Sequence, residues 1–272
     1  AVAQIAHPNI IQILDVGEEE GLHYIAMEFV EGRTVTQMLK DLGPFEYPVA
    51  ARIVCQIASA LAAIQEKGLV HRDVKPSNIL IRKDGLAKLG DFGVVALADP
   101  AGGDRLTMTR TAVGTPYYMS PEQVKGRDLL THASDVYSLG VVLYEMLAGE
   151  HPFGDATPTE AMMRQCNESF PPIRRYRPDI PNDLEQGLKR CLEKDKKDRF
   201  ADAASLHQTL EKIRIRLEMG ALDEGQRAAE YRSRATGTNF FYVDPAMETA
   251  SSLAGRLGSL FREAAAQVFD VN

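Results

Sequence analysis

Two short runs open the chain: IIQILDV at 10–16 and HYIAMEFV at 23–30, rich in β-branched and aromatic residues and separated by a turn carrying Gly and Glu. They predict an antiparallel hairpin. From Tyr47 the period changes. Val49, Ile53, Ile57, Leu61 and Ile64 recur at helical spacing and stop near Gly68, which predicts one amphipathic helix. ILIRKDGLAKLG follows, with Asp84-Gly85 between apolar runs as a tight-turn signal. Residues 91–122 hold no period and read as one long loop, a kind that is usually functional inside a compact domain. DVYSLGVVLYEMLAG (135–149) is apolar nearly all round and predicts a buried helix. Further helices are expected near 158–167, 182–193 and 202–219. The fold class that results is α+β, with a scrap of sheet followed by a mainly helical body.

Composition changes this picture little. The 272 residues are 44% hydrophobic and 25% charged, an ordinary globular balance with enough chain for a large core. A net charge of −7 argues against a general nucleic-acid binder, so no nucleic-acid partner is expected. Cys55, Cys166 and Cys191 lie far apart, form no metal-ligand pattern and fall in helical segments, which predicts reduced thiols. No uninterrupted apolar run reaches the length of a membrane span, and the first residues do not read as a secretory signal. The expected setting is cytoplasmic, with the alternative that these residues form the cytoplasmic part of a longer membrane-anchored protein.

The chemistry is concentrated in HRDVKPSN (71–78). Asp73 on a loop can accept a proton, Lys75 can neutralise an anion, and Asn78 can offer an oxygen to a hard metal ion. Thirteen residues on, DFG (91–93) adds a second oxygen ligand at a strand end. A base, a cation and two oxygen ligands suit metal-assisted phosphoryl transfer, where catalysis is mostly positioning and charge neutralisation.

HRDVKPSN, DFG, GTPYYMSPEQ (114–123), DVYSLGVVLYEMLAGEHPF (135–153) and KDRF (197–200), in that order, resemble the catalytic domain of eukaryotic-type Ser/Thr protein kinases, and of their bacterial branch in particular. The resemblance implies ATP and Mg2+ as cofactors and proteins bearing Ser or Thr as substrates. Asp73 would take or orient the hydroxyl proton, Lys75 would contact the transferring phosphate, and Asn78 and Asp91 would hold magnesium. Met27 would back the adenine pocket, the backbone of Glu28 and Val30 would face the base, and Leu80 would form part of the floor. His71 and Phe92 would be packed links between the two loops, Asp135 would hold the catalytic-loop backbone, and Glu122 would pair with Arg199. Thr115 would support the substrate site. Thr107 and Thr109 resemble an autophosphorylation pair, with Thr111 less well placed, and Arg72 would be the partner of a phosphothreonine.

One half of the family pattern is missing. A glycine-rich loop, a strand lysine and a helix glutamate should precede the hairpin, yet no glycine occurs before Gly17 and no lysine before Lys40. AVAQIAHPNI resembles the last turns of the helix that should carry the glutamate. Residues 1–30 are then expected as the remnant of a small lobe, 31–219 as the large lobe and 220–272 as a helical tail. The chain reads as an N-terminally truncated fragment, itself inactive; the alternative is a non-catalytic scaffold, and a small-molecule kinase of related fold is opposed by GTPYYMSPE. In the tail, FFYVDP (240–245) ends in a turn signal. Leu253, Leu257, Leu260, Phe261, Ala264 and Val268 share one helical face, which suits packing on its own domain or the next one, with self-association as the alternative. With Arg256 and Arg262 as its basic residues, that stretch makes a poor membrane-surface helix.

Overall fold

The computed structural model describes residues 5–19, 22–91, 116–126 and 130–236, with side chains of the final helix described as far as residue 221. Strands β1 (Ile13–Glu19) and β2 (Leu22–Met27) form the expected antiparallel hairpin, Val16 opposite Ile25 and Glu19 opposite Leu22. Pairing starts at Ile13 rather than Ile10 because the residues before it are used elsewhere. Ile10 bridges in parallel to Leu89, and the Ile11 N–H donates to the Leu89 carbonyl at 2.9 Å. Residues 5–10, expected as the end of a helix, are not helical. Asn9 sits in a turn, and its amide donates to Gln56 Oε1 (2.9 Å) and the Ala87 carbonyl (2.8 Å). These bonds sew the segment onto the body below it.

Strand β3 (Gly32–Thr34) was not anticipated, and neither was α1 (Val35–Leu42) directly after it. Thr34 caps α1 and Gln37 closes the box, a Thr-x-x-Gln signal legible in GRTVTQML. Next comes α2 (Tyr47–Glu66), then β4 (Ile79–Arg82) and β5 (Ala87–Leu89), giving a second antiparallel sheet of order β3-β4-β5. Gly85 takes φ +82° in the β4–β5 turn, as Asp84-Gly85 predicts. Within the expected 91–122 loop, residues 92–115 lie outside the description. The rest is a 3-10 turn (Pro116–Tyr118) and a short helix, α3 (Pro121–Lys125).

The body is completed by α4 (His132–Ala148), α5 (Pro158–Asn167), α6 (Asn182–Cys191) and α7 (Ala203–Thr236). Helix α4 is buried along nearly its whole length, Tyr137 and Tyr144 included, as its all-round apolar pattern requires. Helix α2 passes a length-and-composition test for a membrane span, with a mean hydropathy of 1.5. Its apolar residues are used inside the protein instead: Ile53, Ile57, Leu61 and Ile64 are buried as α2 packs on α4, α7 and β5. Helix α7 runs past the expected end at 219, so no break in helix marks the boundary drawn between body and tail. The amphipathic stretch 250–268 lies outside the described residues. All three cysteines are free, and burial pushes the Cys55 and Cys191 thiols up to about 12.

Candidate active site

The loop 71–78 leaves α2 and ends in a 3-10 turn, Pro76–Asn78, that feeds β4. Pro76 occupies the first position of that turn, where its missing N–H costs nothing. The result is tight. Asp73 Oδ2 accepts from Lys75 Nζ at 2.7 Å and from Asn78 Nδ2 at 2.9 Å, and Nδ2 also donates to the Asp73 carbonyl at 2.9 Å. Three of the four residues picked out for catalysis or metal binding thus touch one another. Asn78 is buried, while Asp73 and Lys75 are partly open.

Asp91 joins them through Gly90. The Gly90 N–H donates to the Asn78 carbonyl at 2.8 Å, and His71 Nε2 donates to the Gly90 carbonyl at 3.1 Å. A carbonyl only accepts, so Nε2 carries the proton, and Nδ1 is free to accept the Asp73 N–H at 3.3 Å. Burial pushes the His71 imidazole down to about 4, so at neutral pH it is uncharged and this tautomer is maintained. Gly90 sits close under Ile11: a Cβ there would lie 2.7 Å from Ile11 Cδ1, so that methyl would have to move. Asp91 itself is exposed, with φ +51°.

Below the loop, the carboxylate of Asp135, in the first turn of α4, accepts the N–H groups of His71 and Arg72, each at 2.8 Å. Burial raises Asp135 to about 6 against the pull of those two donors. Glu122 meets Arg199 end-on, NH1 to Oε1 at 2.7 Å and NH2 to Oε2 at 2.9 Å. The guanidinium also donates to the carbonyls of Ala133, Glu193 and Lys194. Both expected structural pairings are present.

In the connection after β2, the Glu28 side chain turns to Lys88. Lys88 Nζ donates to Glu28 Oε1 at 2.5 Å, and the same oxygen accepts the Gln12 N–H at 2.9 Å. Burial opposes charge on this carboxylate, but the Lys88 and Gln12 donors outweigh it and hold its pKa below the usual range. Val30 is buried, Leu80 is half-buried opposite Lys88 in the sheet, and Met27 is exposed. Phe92, Thr107, Thr109, Thr111 and Thr115 lie outside the described residues.

Several residues of the site went unremarked in the sequence. Lys88 is a nearly buried lysine inside AKL, and that mismatch is its signal. Tyr117 and Tyr118, directly after the undescribed segment, are clamped by α4, α5 and the loop after α4. Tyr118 Oη donates to Glu145 at 2.6 Å, Ser138 Oγ donates to the Tyr118 carbonyl at 2.7 Å, and Gln165 donates to the Tyr117 carbonyl. His151 Nε2 donates to the same Tyr117 carbonyl at 3.0 Å, and its Nδ1 accepts the Phe153 N–H at 3.0 Å.

Comparison with known proteins supplies the decisive observation: the protein kinase domain model matches residues 1–211. The chain belongs to the protein kinase family. Bacterial Ser/Thr kinases are among its relatives. A probable serine/threonine-protein kinase of Clostridium perfringens is 37% identical over 214 residues, covering 79% of this chain and 31% of the relative. Serine/threonine-protein kinase PrkC of Bacillus subtilis is 36% identical over 206 residues, 76% of this chain and 31% of that protein. Serine/threonine-protein kinase pkn3 of Myxococcus xanthus is 37% identical over 253 residues, 90% of this chain and 44% of the relative. The chain therefore spans about a third to under a half of the length of these kinases. The α+β architecture with its mainly helical body is the one the motifs led us to expect.

Proposed function

We propose that this chain forms the catalytic body of a Ser/Thr protein kinase, transferring the γ-phosphoryl group of ATP to Ser or Thr hydroxyls of proteins. The observation that carries the reading is the Asp73 carboxylate, gripped by Lys75 at 2.7 Å and Asn78 at 2.9 Å. In the reaction the substrate hydroxyl gives its proton to Asp73, its oxygen bonds to the γ-phosphorus, and the bond to the β-phosphate oxygen breaks to release ADP. Lys75 lies beside the base and neutralises charge on the phosphoryl group in transit. The non-catalytic scaffold reading gives this convergence of Asp73, Lys75 and Asn78 no use.

The donor set fits magnesium. Asn78 commits its Nδ2 to Asp73, which leaves Oδ1, with Ser77 Oγ at 3.4 Å, as an oxygen for a metal; the exposed Asp91 follows Gly90, whose N–H donates to the Asn78 backbone carbonyl. Among the described residues no three His, Cys, Asp or Glu side chains cluster. One amide oxygen and one carboxylate suit Mg2+, which takes its remaining ligands from phosphate and water. When bound, the ion supplies charge neutralisation at the phosphates. Without a lysine before Lys40 or a glycine before Gly17, these residues by themselves supply only the lower half of a nucleotide clamp, and weak transfer by the isolated chain is expected.

The test uses the full-length protein with radiolabelled ATP. Asp73→Asn should lower transfer by roughly 10²–10⁴-fold, the usual worth of a general base. Asp91→Asn should weaken Mg2+-dependent ATP binding. Wild-type turnover in Asp73→Asn would overturn the assignment of the base.

A further inference from the structure

Arg72 and Asp91 are the two non-glycine residues with positive φ among the described ones, at +72° and +51°. The left-handed region is unfavourable for a side chain such as arginine, so the surrounding structure must impose it. Arg72 is held at both of its backbone polar groups. Its N–H donates to Asp135 Oδ1 at 2.8 Å, from below. Its carbonyl accepts from Gln123 Nε2, also at 2.8 Å, across 51 residues of sequence.

Gln123 uses both ends of its amide. Its Oε1 accepts the Ser120 N–H at 2.9 Å, and its own N–H donates to Ser120 Oγ at 3.3 Å, which is a complete capping box on α3. A capping box takes Glu as readily as Gln. This protein uses both: Gln37 closes the box of α1 and Glu160 closes that of α5. The cap on α3 therefore does not require an amide. The second bond does, because a carboxylate has no N–H to give to the Arg72 carbonyl.

We propose that Gln123 is a positioning residue for phosphoryl transfer. Its Nε2 fixes the peptide unit that leads into Asp73 and ties that unit to the N-terminus of α3. The proposal rests on the reading of Asp73 as the base. The peptide between Arg72 and Asp73 is then pinned from both sides, by Asp135 one bond earlier and by Gln123 at its own oxygen. Because α3 follows the segment 92–115 and the clamped tyrosines in sequence, a shift of α3 would be passed directly to the orientation of Asp73. Glu122, the neighbour of Gln123, is itself locked to Arg199, so α3 is a firm anchor for this hold.

Gln123→Glu and Gln123→Met, made in the full-length protein, separate the contributions. The glutamate keeps the cap and loses the donor; the methionine keeps the length and loses both bonds without adding charge. We expect both to lower kcat about tenfold or more, the scale of a small misplacement of a reacting group, with KM for ATP changed less than about twofold. Gln123→Glu should keep the wild-type melting temperature, and backbone amides 72–75 should exchange with deuterium faster in both variants. Wild-type kcat and exchange in Gln123→Glu would overturn the proposal, as would a loss confined to Gln123→Met, since that assigns Gln123 to the cap alone. A loss confined to Gln123→Glu would overturn it too, by pointing to the added charge. Should the unmutated protein transfer no phosphate, the kinase reading fails. The exchange experiment then decides by itself: faster exchange supports the hold on the Arg72 carbonyl and unchanged exchange refutes it.

Discussion

Asn78 shows how much one buried side chain can organise. Its Nδ2 reaches both the backbone and the carboxylate of Asp73, its backbone carbonyl receives the N–H of Gly90, and its Oδ1 is the oxygen proposed for magnesium. Asn78→Ala removes the donor to Asp73 and the proposed oxygen ligand while leaving the backbone bond to Gly90. In the full-length protein kcat should fall on the order of 10²-fold through lost orientation, read by single-turnover transfer at saturating ATP. A tenfold or smaller loss would remove Asn78 from the arrangement of the base. The motif residues were legible in the sequence because phosphoryl transfer demands particular groups at fixed short spacing. Lys88, Gln123 and His151 were not, because each is defined by a partner 60, 51 or 34 residues away.

At the level of elements, the Glu122–Arg199 pair joins α3 to the loop between α6 and α7. Arg199 is 2% exposed, and each of its three guanidinium nitrogens has an acceptor. Burial opposes the charge on Glu122, but the Arg199 hydrogen bonds outweigh it and keep the carboxylate ionised. Arg199→Met strands that carboxylate away from water, which should cost about 3–5 kcal/mol, measured by urea unfolding. A loss below about 1 kcal/mol would mean that α3 is held by other contacts. Long helices such as α2 and α4 were readable because many apolar positions report one period. Helix α1 is eight residues long, too short for that signal, and it was not anticipated although its capping box is written in the sequence.

For the molecule as a whole, two histidines set a common pH limit. His71 and His151 each donate from Nε2 to a carbonyl of a distant segment and accept on Nδ1 from the N–H two residues on. Burial holds both at about 4, against 6.5 when exposed. The unfolded chain therefore binds more protons between these values, and stability falls as pH drops from about 6.5 towards 4. Asp135, raised to about 6, works the other way over 3.8 to 6, and Glu145 joins it, whereas Glu122 and Glu211, held low, add to the loss below 4.5. A pKa that differs by one between the folded and unfolded chain is worth about 1.4 kcal/mol, so the two histidines outweigh Asp135 and a net loss of a few kcal/mol is expected. Urea midpoints taken from pH 7 to 4.5 should decline, and His151→Gln should flatten the slope. A flat wild-type profile would contradict the buried, neutral assignment of both rings.

The sequence by itself determined the buried helices α2 and α4, the first hairpin and the family, and it singled out the residues of the 71–78 loop, since these depend on local periodicity or on chemistry confined to a few neighbouring positions. Tertiary structure alone decided that Ile10 and Ile11 leave the hairpin to bind Leu89, that α2 turns its membrane-like apolarity into the protein's own core, and that the Gln123 amide nitrogen meets the Arg72 carbonyl. The physical reason is the same in each case. A backbone carbonyl or an apolar face states what it needs in the sequence, but which group meets that need depends on what folding brings within about 3 Å of the one or about 4 Å of the other.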